Sequence, residues 1–508
     1  MIILGNLRLS LVHLEKIIFT DEKIEIEEQA LKKIERCYQL IKSKAKSEIP
    51  LYGINTGFGA LAEQRINETD QKALQRNIIF SHAVGVGEPL KPHEARAMML
   101  LRLNTLAQGY SGASPALVNM LLKLIKANVA PFVPQKGSVG ASGDLAPLAH
   151  LGLLLLGVGQ AFIDQKLVSA KEALGVSGLK PLDFGLRDGL ALINGTQAMG
   201  AKGMMALSEI KALLNLADIA AASSLDAVGG HMAPFDPRIQ KIKAHPGQIK
   251  TAENIRKLSL GRKVELLIKN PRTQDPYSLR CIPQVHGASK DAFSQMTEVI
   301  EREINGVTDN PLIFVDNHEE ISILSGGNFH GQSLALALDY LAMAVAELAD
   351  ISERRIEQLL NPNYSNGLPP FLAANSGTNS GYMMLHVTAS ALVNENKVLC
   401  HPASVDSIPT SANREDHVSM GMTAANKLSL VIENARTVLA IELLAAHQGL
   451  GFRAPHCAGT KVQSIGQALR ALVPFRDCDG LYYEDLRTVL RWIQVPQTLG
   501  FFDEILSA

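Results

Sequence analysis

The stretch Gly137-Ser138-Val139-Gly140-Ala141-Ser142-Gly143-Asp144-Leu145-Ala146-Pro147-Leu148 holds the residues most capable of unusual chemistry. Read plainly, it is a glycine-rich turn capped by Ser142 or Asp144 ahead of an apolar run. It also permits a self-condensation. In a tightly bent loop the Gly143 nitrogen can attack the Ala141 carbonyl carbon, because glycine has no Cβ to block the approach and tolerates unusual dihedrals. Loss of one water from the ring and a second from the Ser142 side chain would leave an exocyclic methylidene, an electrophile. Ordinary side chains are poor electrophiles, so turning an amine into a leaving group needs a cofactor or a modified backbone of this kind. Both readings are open on these residues alone.

Two further places carry usable groups. Arg280 offers a planar fork that matches a carboxylate, and Tyr277 and Gln274 lie three and six residues before it, so one short segment can present all three. The alternative for the arginine is an exposed salt bridge. Tyr52 sits among Gly53, Gly57 and Gly59, a setting that suits a mobile lid carrying a base, or simply a loop aromatic packed on the core. A free phenol titrates near pH ~10, so a tyrosine base at neutral pH needs positive charge or donated hydrogen bonds around it.

The elements that must hold these groups read as helices. Leu207, Ile210, Leu214, Ala217, Ala221, Leu225 and Val228 recur at three- and four-residue steps and predict one long helix. Leu334 to Ile351 is apolar almost all round, the pattern of a helix central to a bundle. Shorter helices are expected around Ala30 to Ile41 and after Pro92. Polar islands stand directly before helical runs: Ser142-Gly143-Asp144 before Leu145 to Leu156, Asn194-Gly195-Thr196 before the run leading to Leu207, Asn328-Phe329-His330 before Leu334, and Asn413-Arg414-Glu415-Asp416 before Val418 to Leu428. If these helix starts meet in space, their unpaired N–H groups form an electropositive site.

Composition narrows the function classes. The 508 residues carry 49 basic and 50 acidic side chains, a net charge of −1 that draws the chain to neither nucleic acid nor an anionic membrane. At 46% hydrophobic and 19% charged it has ample material for a core. The five cysteines, Cys37, Cys281, Cys400, Cys457 and Cys478, form no CxxC pair and read as reduced thiols of a cytoplasmic protein. The N-terminal stretch is interrupted by Arg8, His13, Glu15 and Lys16 and does not read as a secretion leader, and no window reaches the length of a membrane span. Phosphate-loop, dinucleotide, HExxH and GxSxG patterns are missing, and the fourteen histidines show no ligand-like spacing, so no metal is indicated.

Seven segments, taken together and in order, resemble the aromatic amino acid ammonia-lyases. They are Tyr52-Gly53-Ile54-Asn55-Thr56-Gly57-Phe58-Gly59, Ser81-His82-Ala83-Val84-Gly85, Gly137 to Leu148, Asn194-Gly195-Thr196, Gln274-Asp275-Pro276-Tyr277-Ser278-Leu279-Arg280, Gly327-Asn328-Phe329-His330 and Ser411-Ala412-Asn413-Arg414-Glu415-Asp416-His417. The likeness spans essentially the whole chain and is greatest to the branch of the family that acts on histidine. It implies a mainly α fold of fumarase/aspartase-like architecture. An N-terminal region of residues 1–110 would carry the lid loop and substrate-pocket residues, and a long-helix bundle of residues 111–508 the modified segment and most of the site. It implies a homotetramer with shared active sites.

The resemblance also implies a methylidene-imidazolone formed by Ala141, Ser142 and Gly143, and loss of ammonia from L-histidine to give trans-urocanate. By the same likeness Tyr52 is the base, Asn194 binds the ring oxygen or the substrate, Tyr277 lies near the amine, Gln274 and Arg280 serve the carboxylate end, and Phe329 walls the site. His82 and Glu415 set the substrate. An imidazole asks for polar partners that a phenyl ring would leave unpaired, and relatives acting on phenylalanine have apolar residues and glutamine at these places. Arg414 departs from the glutamine expected of many histidine-acting relatives. The nearest rival reading keeps the modified backbone but acts on tyrosine or phenylalanine, as a lyase or an aminomutase. The polar island Asn361 to Gly381 is either a second lid or a long connector.

Overall fold

The periodic apolar runs fold as helices. The computed structural model describes residues 1–507 except 21, 47–49, 265–267, 269–271 and 454–457, so Cys457 lies outside the described residues. The run through Leu207 to Val228 is part of a helix over Gln197–Val228, the run from Leu334 part of Gln332–Leu360, and the shorter helices span Glu28–Lys44 and Pro92–Ala107. Strands are short and local. Ile2–Leu4 pairs in parallel with Ile24–Ile26, Val129–Pro131 joins an antiparallel set with Gln160–Ile163 and Lys166–Ser169, and Leu312–Val315 forms a hairpin with Ile321–Leu324.

Two compact units, each discontinuous in sequence, make up the chain. The first holds residues 1–208, 297–339 and 402–426. The N-terminal 110 residues thus share a unit with the Ala141 to Gly143 segment. Here the Pro92–Ala107 helix is buried from Ala95 onward apart from Arg96, and each fully buried aliphatic side chain contributes about 1.5–3 kcal/mol. Within it, buried Arg102 donates from Nε to the Ala191 carbonyl at 2.8 Å and from Nη1 to Gln197 Oε1 at 3.1 Å and the Thr308 carbonyl at 3.0 Å. It also meets Asp309 at 3.5 Å, which Arg187 meets at 3.1 Å. One side chain thereby ties the end of the Asp188–Ile193 helix to the start of Gln197–Val228 and sets the intervening Asn194-Gly195-Thr196. Removing one partner from a buried ion pair of this kind costs about 3–5 kcal/mol.

Residues 209–296, 340–401 and 427–508 make up the second unit. Its interior carries a chain of buried charges linked through the His286 ring. Lys290 meets Asp218 at 2.9 Å, Asp218 meets His286 at 2.9 Å, and Arg355 pairs with Glu442 at 2.5 Å. Glu442 also accepts from the hydroxyls of Ser224 and Ser352. These buried charges are all partnered, which is the condition for tolerating them. The island Asn361 to Gly381 contains the short helix Pro370–Leu372, and the amides of Ser380 and Gly381 donate to Asp479, each at 2.8 Å.

The Gln332–Leu360 helix differs from its sequence pattern in one respect. Leu334, Leu338, Leu341, Val345 and Leu348 are buried, yet Leu336, Tyr340 and Met343 are 53, 42 and 40% exposed. These three follow each other at steps of four and three and form one apolar stripe, which the packing of a single chain leaves uncovered. Among the described residues no helix is long and apolar enough to cross a membrane, and Cys37, Cys281, Cys400 and Cys478 are thiols outside any disulfide.

Candidate active site

The Gly137 to Asp144 loop is bent by two left-handed glycines, Gly140 at φ 68° and Gly143 at φ 72°. At Gly143 a Cβ would lie 2.1 Å from the Gly195 carbonyl oxygen, so no other residue fits there. The same carbonyl accepts the Asp144 N–H at 2.7 Å. Ser138 Oγ donates to Asp144 Oδ1 at 2.9 Å and accepts the Gly140 N–H at 3.2 Å, drawing the two ends of the loop together. On the far side Ser419 Oγ donates to the Gly140 carbonyl at 3.0 Å, and the Met420 N–H to the Val139 carbonyl at 2.9 Å. Ala141 is buried against Val418 and Met420. This is a curled, clamped main chain with Ser142 partly open at its tip.

The helix starts do meet. Leu145–Leu155 and Gln197–Val228 begin where Gly143 bridges Gly195, and Asp144 Oδ2 accepts the N–H of Met199 at 2.9 Å. Met199 in turn fills the space beside Gly331 and Gly421, where added Cβ atoms would come within 2.5 and 2.6 Å of its sulfur. Those glycines precede and open the helices Gln332–Leu360 and Gly421–Phe452. Four helix N-termini therefore converge on one locus, a positive environment suited to developing negative charge. The fourth helix starts at Gly421 rather than Val418, because Met420 takes a left-handed φ of 56° and Val418 and Met420 turn inward onto Ala141.

Around this locus stand most of the residues singled out in the sequence. Ser142 Oγ donates to Glu415 Oε1 at 2.9 Å. Glu415 Oε2 accepts from Thr410 Oγ1 at 2.5 Å. His82 ends the Gln71–His82 helix, its Nδ1 2.9 Å from Ser81 Oγ. Burial pulls its imidazole below the ordinary value, opposed by the Ile78 carbonyl and the Glu415 charge. A neutral ring results, with one donor and one acceptor. The Tyr52 hydroxyl oxygen accepts the Gly59 N–H at 3.1 Å, and a Cβ on Gly59 would lie 3.1 Å from Ser411 Oγ, so the Tyr52 loop lies against the loop that carries Glu415. Residues Gly53 to Gly57 are buried, with the Gly57 N–H bonded to the Gln64 carbonyl at 2.9 Å.

Asn194 is 4% exposed, and its side-chain oxygen is buried without a hydrogen-bond partner. Buried amides are rarely left so, which marks the position as one with bonding capacity in hand. Phe329 is half-buried at the entry to Gln332–Leu360, beside His330, whose ring stacks on His417 at 5.7 Å.

Gln274, Tyr277 and Arg280 belong to the second unit. Gln274 is exposed and Tyr277 is 70% exposed, and the Arg280 guanidinium lies 4.6 Å from the Tyr277 ring centre with its Nε buried and unpartnered. Buried Asp275 accepts the His231 N–H at 2.6 Å and, with buried Leu279, anchors the segment.

Several residues of the site carry no sequence signal of their own. Asp144 reads as a cap for the helix it precedes, yet makes no side-chain cap there and instead receives the amide of Met199 in a different helix. Burial pushes its carboxyl up to about 6, against the hydrogen bonds from Met199 and Ser138. Ser138, Ser419 and Thr410 are generic hydroxyl residues, and only their three-dimensional partners give them meaning.

A helical enzyme whose helix starts enclose a bent Ala-Ser-Gly loop is the class defined so far. The aromatic amino acid lyase family model matches residues 9–471, and the chain belongs to that family. It is 49% identical over 505 residues to the histidine ammonia-lyase of Sorangium cellulosum, covering 98% of each chain. It is 51% identical over 474 residues to that of Anaeromyxobacter dehalogenans, covering 91% of this chain and 92% of the relative. Among solved structures it is similar to histidine ammonia-lyase from Trypanosoma cruzi, with a TM-score of 0.90 and 39% identity over 99% of this chain and 95% of that one. A tyrosine aminomutase from Streptomyces globisporus gives a TM-score of 0.92 at 31% identity, covering 100% and 98%.

Proposed function

We propose that the chain removes ammonia from L-histidine to give trans-urocanate, the first step of histidine degradation, using a methylidene-imidazolone made from its own Ala141, Ser142 and Gly143. The observation that carries this reading is the 2.9 Å contact between Ser142 Oγ and Glu415 Oε1, since a carboxylate beside that loop is able to accept an imidazole N–H. The residues fit the group, since the loop is bent at Gly143, where only glycine fits, and the unpartnered buried oxygen of Asn194 beside Gly195 is an acceptor for a substrate N–H. Once formed, the group supplies an electrophile for the substrate amine and so makes ammonia a competent leaving group.

The side chains divide the remaining work. Tyr52 takes the β-proton, helped by the Gly59 N–H aimed at its oxygen. Glu415 accepts an imidazole N–H of the substrate, and neutral His82 offers a complementary polar edge. A substrate with a phenyl ring would leave both groups unpaired, which favours histidine over phenylalanine. Asn194 binds at the loop, Phe329 forms a wall, Tyr277 serves the amine end, and Arg280, with Gln274, takes the carboxylate through its planar fork. The outward presentation of Tyr277 and the uncovered stripe of Leu336, Tyr340 and Met343 support a homotetramer whose subunits share active sites. The thiols outside any disulfide support action in the cytoplasm.

Ser142→Ala tests the proposal. Urocanate formation from histidine is expected to be lost while the fold is kept, and the wild-type chain is expected to weigh less than its encoded sequence by two waters. Full activity in the variant overturns the reading.

A further inference from the structure

We infer that Thr410 is a positioning residue that aims the Glu415 carboxylate at the substrate ring and so sets the preference for an imidazole. The inference rests on the imidazole-binding role proposed for Glu415. The carboxylate is held at both oxygens: Oε2 accepts from Thr410 Oγ1 at 2.5 Å, and Oε1 from Ser142 Oγ at 2.9 Å. These two donors have different fates. Loss of water from Ser142 removes its hydroxyl, so Oε1 is left without that donor and turned toward the reactive loop, while Oε2 stays with Thr410. The freed oxygen is then the acceptor for a ring N–H.

The backbone supports the same assignment. Thr410 and Glu415 close a short turn by two reciprocal bonds, Thr410 N–H to the Glu415 carbonyl at 3.0 Å and Glu415 N–H to the Thr410 carbonyl at 3.3 Å. Between them Ser411, Ala412 and Asn413 all take left-handed φ values of 52, 52 and 65°. Three successive non-glycine residues in that region hold only when their surroundings over-determine them, and such strain gathers at functional sites. The side-chain bond from Thr410 is the third tie across this turn, and it alone constrains the carboxylate torsion. Without it Oε1 is free to swing away from the ring position.

The experiment compares Thr410→Val, which keeps shape and loses the hydroxyl, with Thr410→Ser, which keeps the hydroxyl, in the full-length enzyme. Intact mass checks that the two-water loss has taken place in each. A hydrogen bond to a charged group is worth about ten- to a hundredfold in an equilibrium. We expect Thr410→Val to lose about that factor in kcat/KM for L-histidine while remaining dehydrated and folded, and Thr410→Ser to recover most of it. Activity of Thr410→Val within about twofold of wild type overturns the inference, as does an equal loss in both variants accompanied by failure of the two-water loss. Glu415→Gln is measured alongside. If it lowers histidine turnover while Thr410→Val does not, the positioning role alone fails; if it has no effect, the Glu415 reading fails and this inference with it.

Discussion

The Gly195 carbonyl faces the α-carbon of Gly143 so closely that it accepts the Asp144 N–H at 2.7 Å and stands 2.1 Å from where a Gly143 Cβ would be. Main chain presses on main chain here. Gly195 is in turn hemmed in, since a Cβ on it would lie 2.5 Å from Arg102 Nη1 and 2.6 Å from the Thr308 carbonyl oxygen, so the wall behind the loop cannot retreat.

Gly143→Ala is therefore expected to destroy activity through the loop and not through global unfolding. The added methyl has no space and faces a left-handed φ of 72°. A strained non-glycine residue costs about 1–3 kcal/mol, which a large fold withstands. The loop, pushed off Gly195, loses the curvature needed for ring closure. Mass spectrometry should return the encoded mass, and histidine turnover should drop by on the order of a thousandfold or more. A variant two waters lighter than its encoded mass and fully active refutes this.

Asp144 links the reactive loop to the Gln197–Val228 helix, through Ser138 Oγ at 2.9 Å and the Met199 N–H at 2.9 Å. In Asp144→Ala both donors lose their partner in a buried place, at about 1–3 kcal/mol each. We expect a lower urea midpoint and incomplete loss of the two waters, with Asp144→Asn falling between the variant and wild type because its amide oxygen can still accept one bond. Wild-type stability and complete dehydration in Asp144→Ala contradict this account of the loop's anchoring.

How far these features were legible depends on whether their signal is local. A glycine or small polar residue before an apolar run is a local pattern, and it located the starts at Leu145 and ahead of Leu207 and Leu334. The same pattern misplaced the last start by three residues, at Val418 instead of Gly421. It took no account of Val418 and Met420 packing onto Ala141, some 280 positions earlier in the chain. Ser142 and Glu415 were both picked out, but their contact spans 273 residues and follows from no spacing rule. Thr410 and Ser419 stayed invisible because a hydroxyl residue has many ordinary uses, and only the partner, a carboxylate or a carbonyl of the reactive loop, distinguishes one use from another. The apolar pattern of Leu334 to Ile351 pointed to burial on every side, whereas one chain alone leaves the Leu336, Tyr340 and Met343 stripe uncovered.

Acid should weaken the second unit through two buried histidines. The His286 Nε2 lies 3.4 Å from Arg355 Nη1 and can only accept there, while Nδ1 donates to Asp218 at 2.9 Å, so the ring is neutral. Burial holds this imidazole down to about 4. Burial, with the charge of Arg470, holds His447 down to about 3. Both would titrate near ~6.5 in the unfolded chain, so below that pH the unfolded state binds more protons than the folded one. Their contribution to stability is complete above about pH 6.5 and is lost as the pH falls toward the folded values. The loss should reach a few kcal/mol by about pH 4.5. Urea midpoints taken from pH 7.5 to 4.5 should decline steadily, and His447→Gln, which cannot take up a proton, should flatten part of that decline. A variant whose slope matches wild type would show that His447 does not carry the acid sensitivity assigned to it.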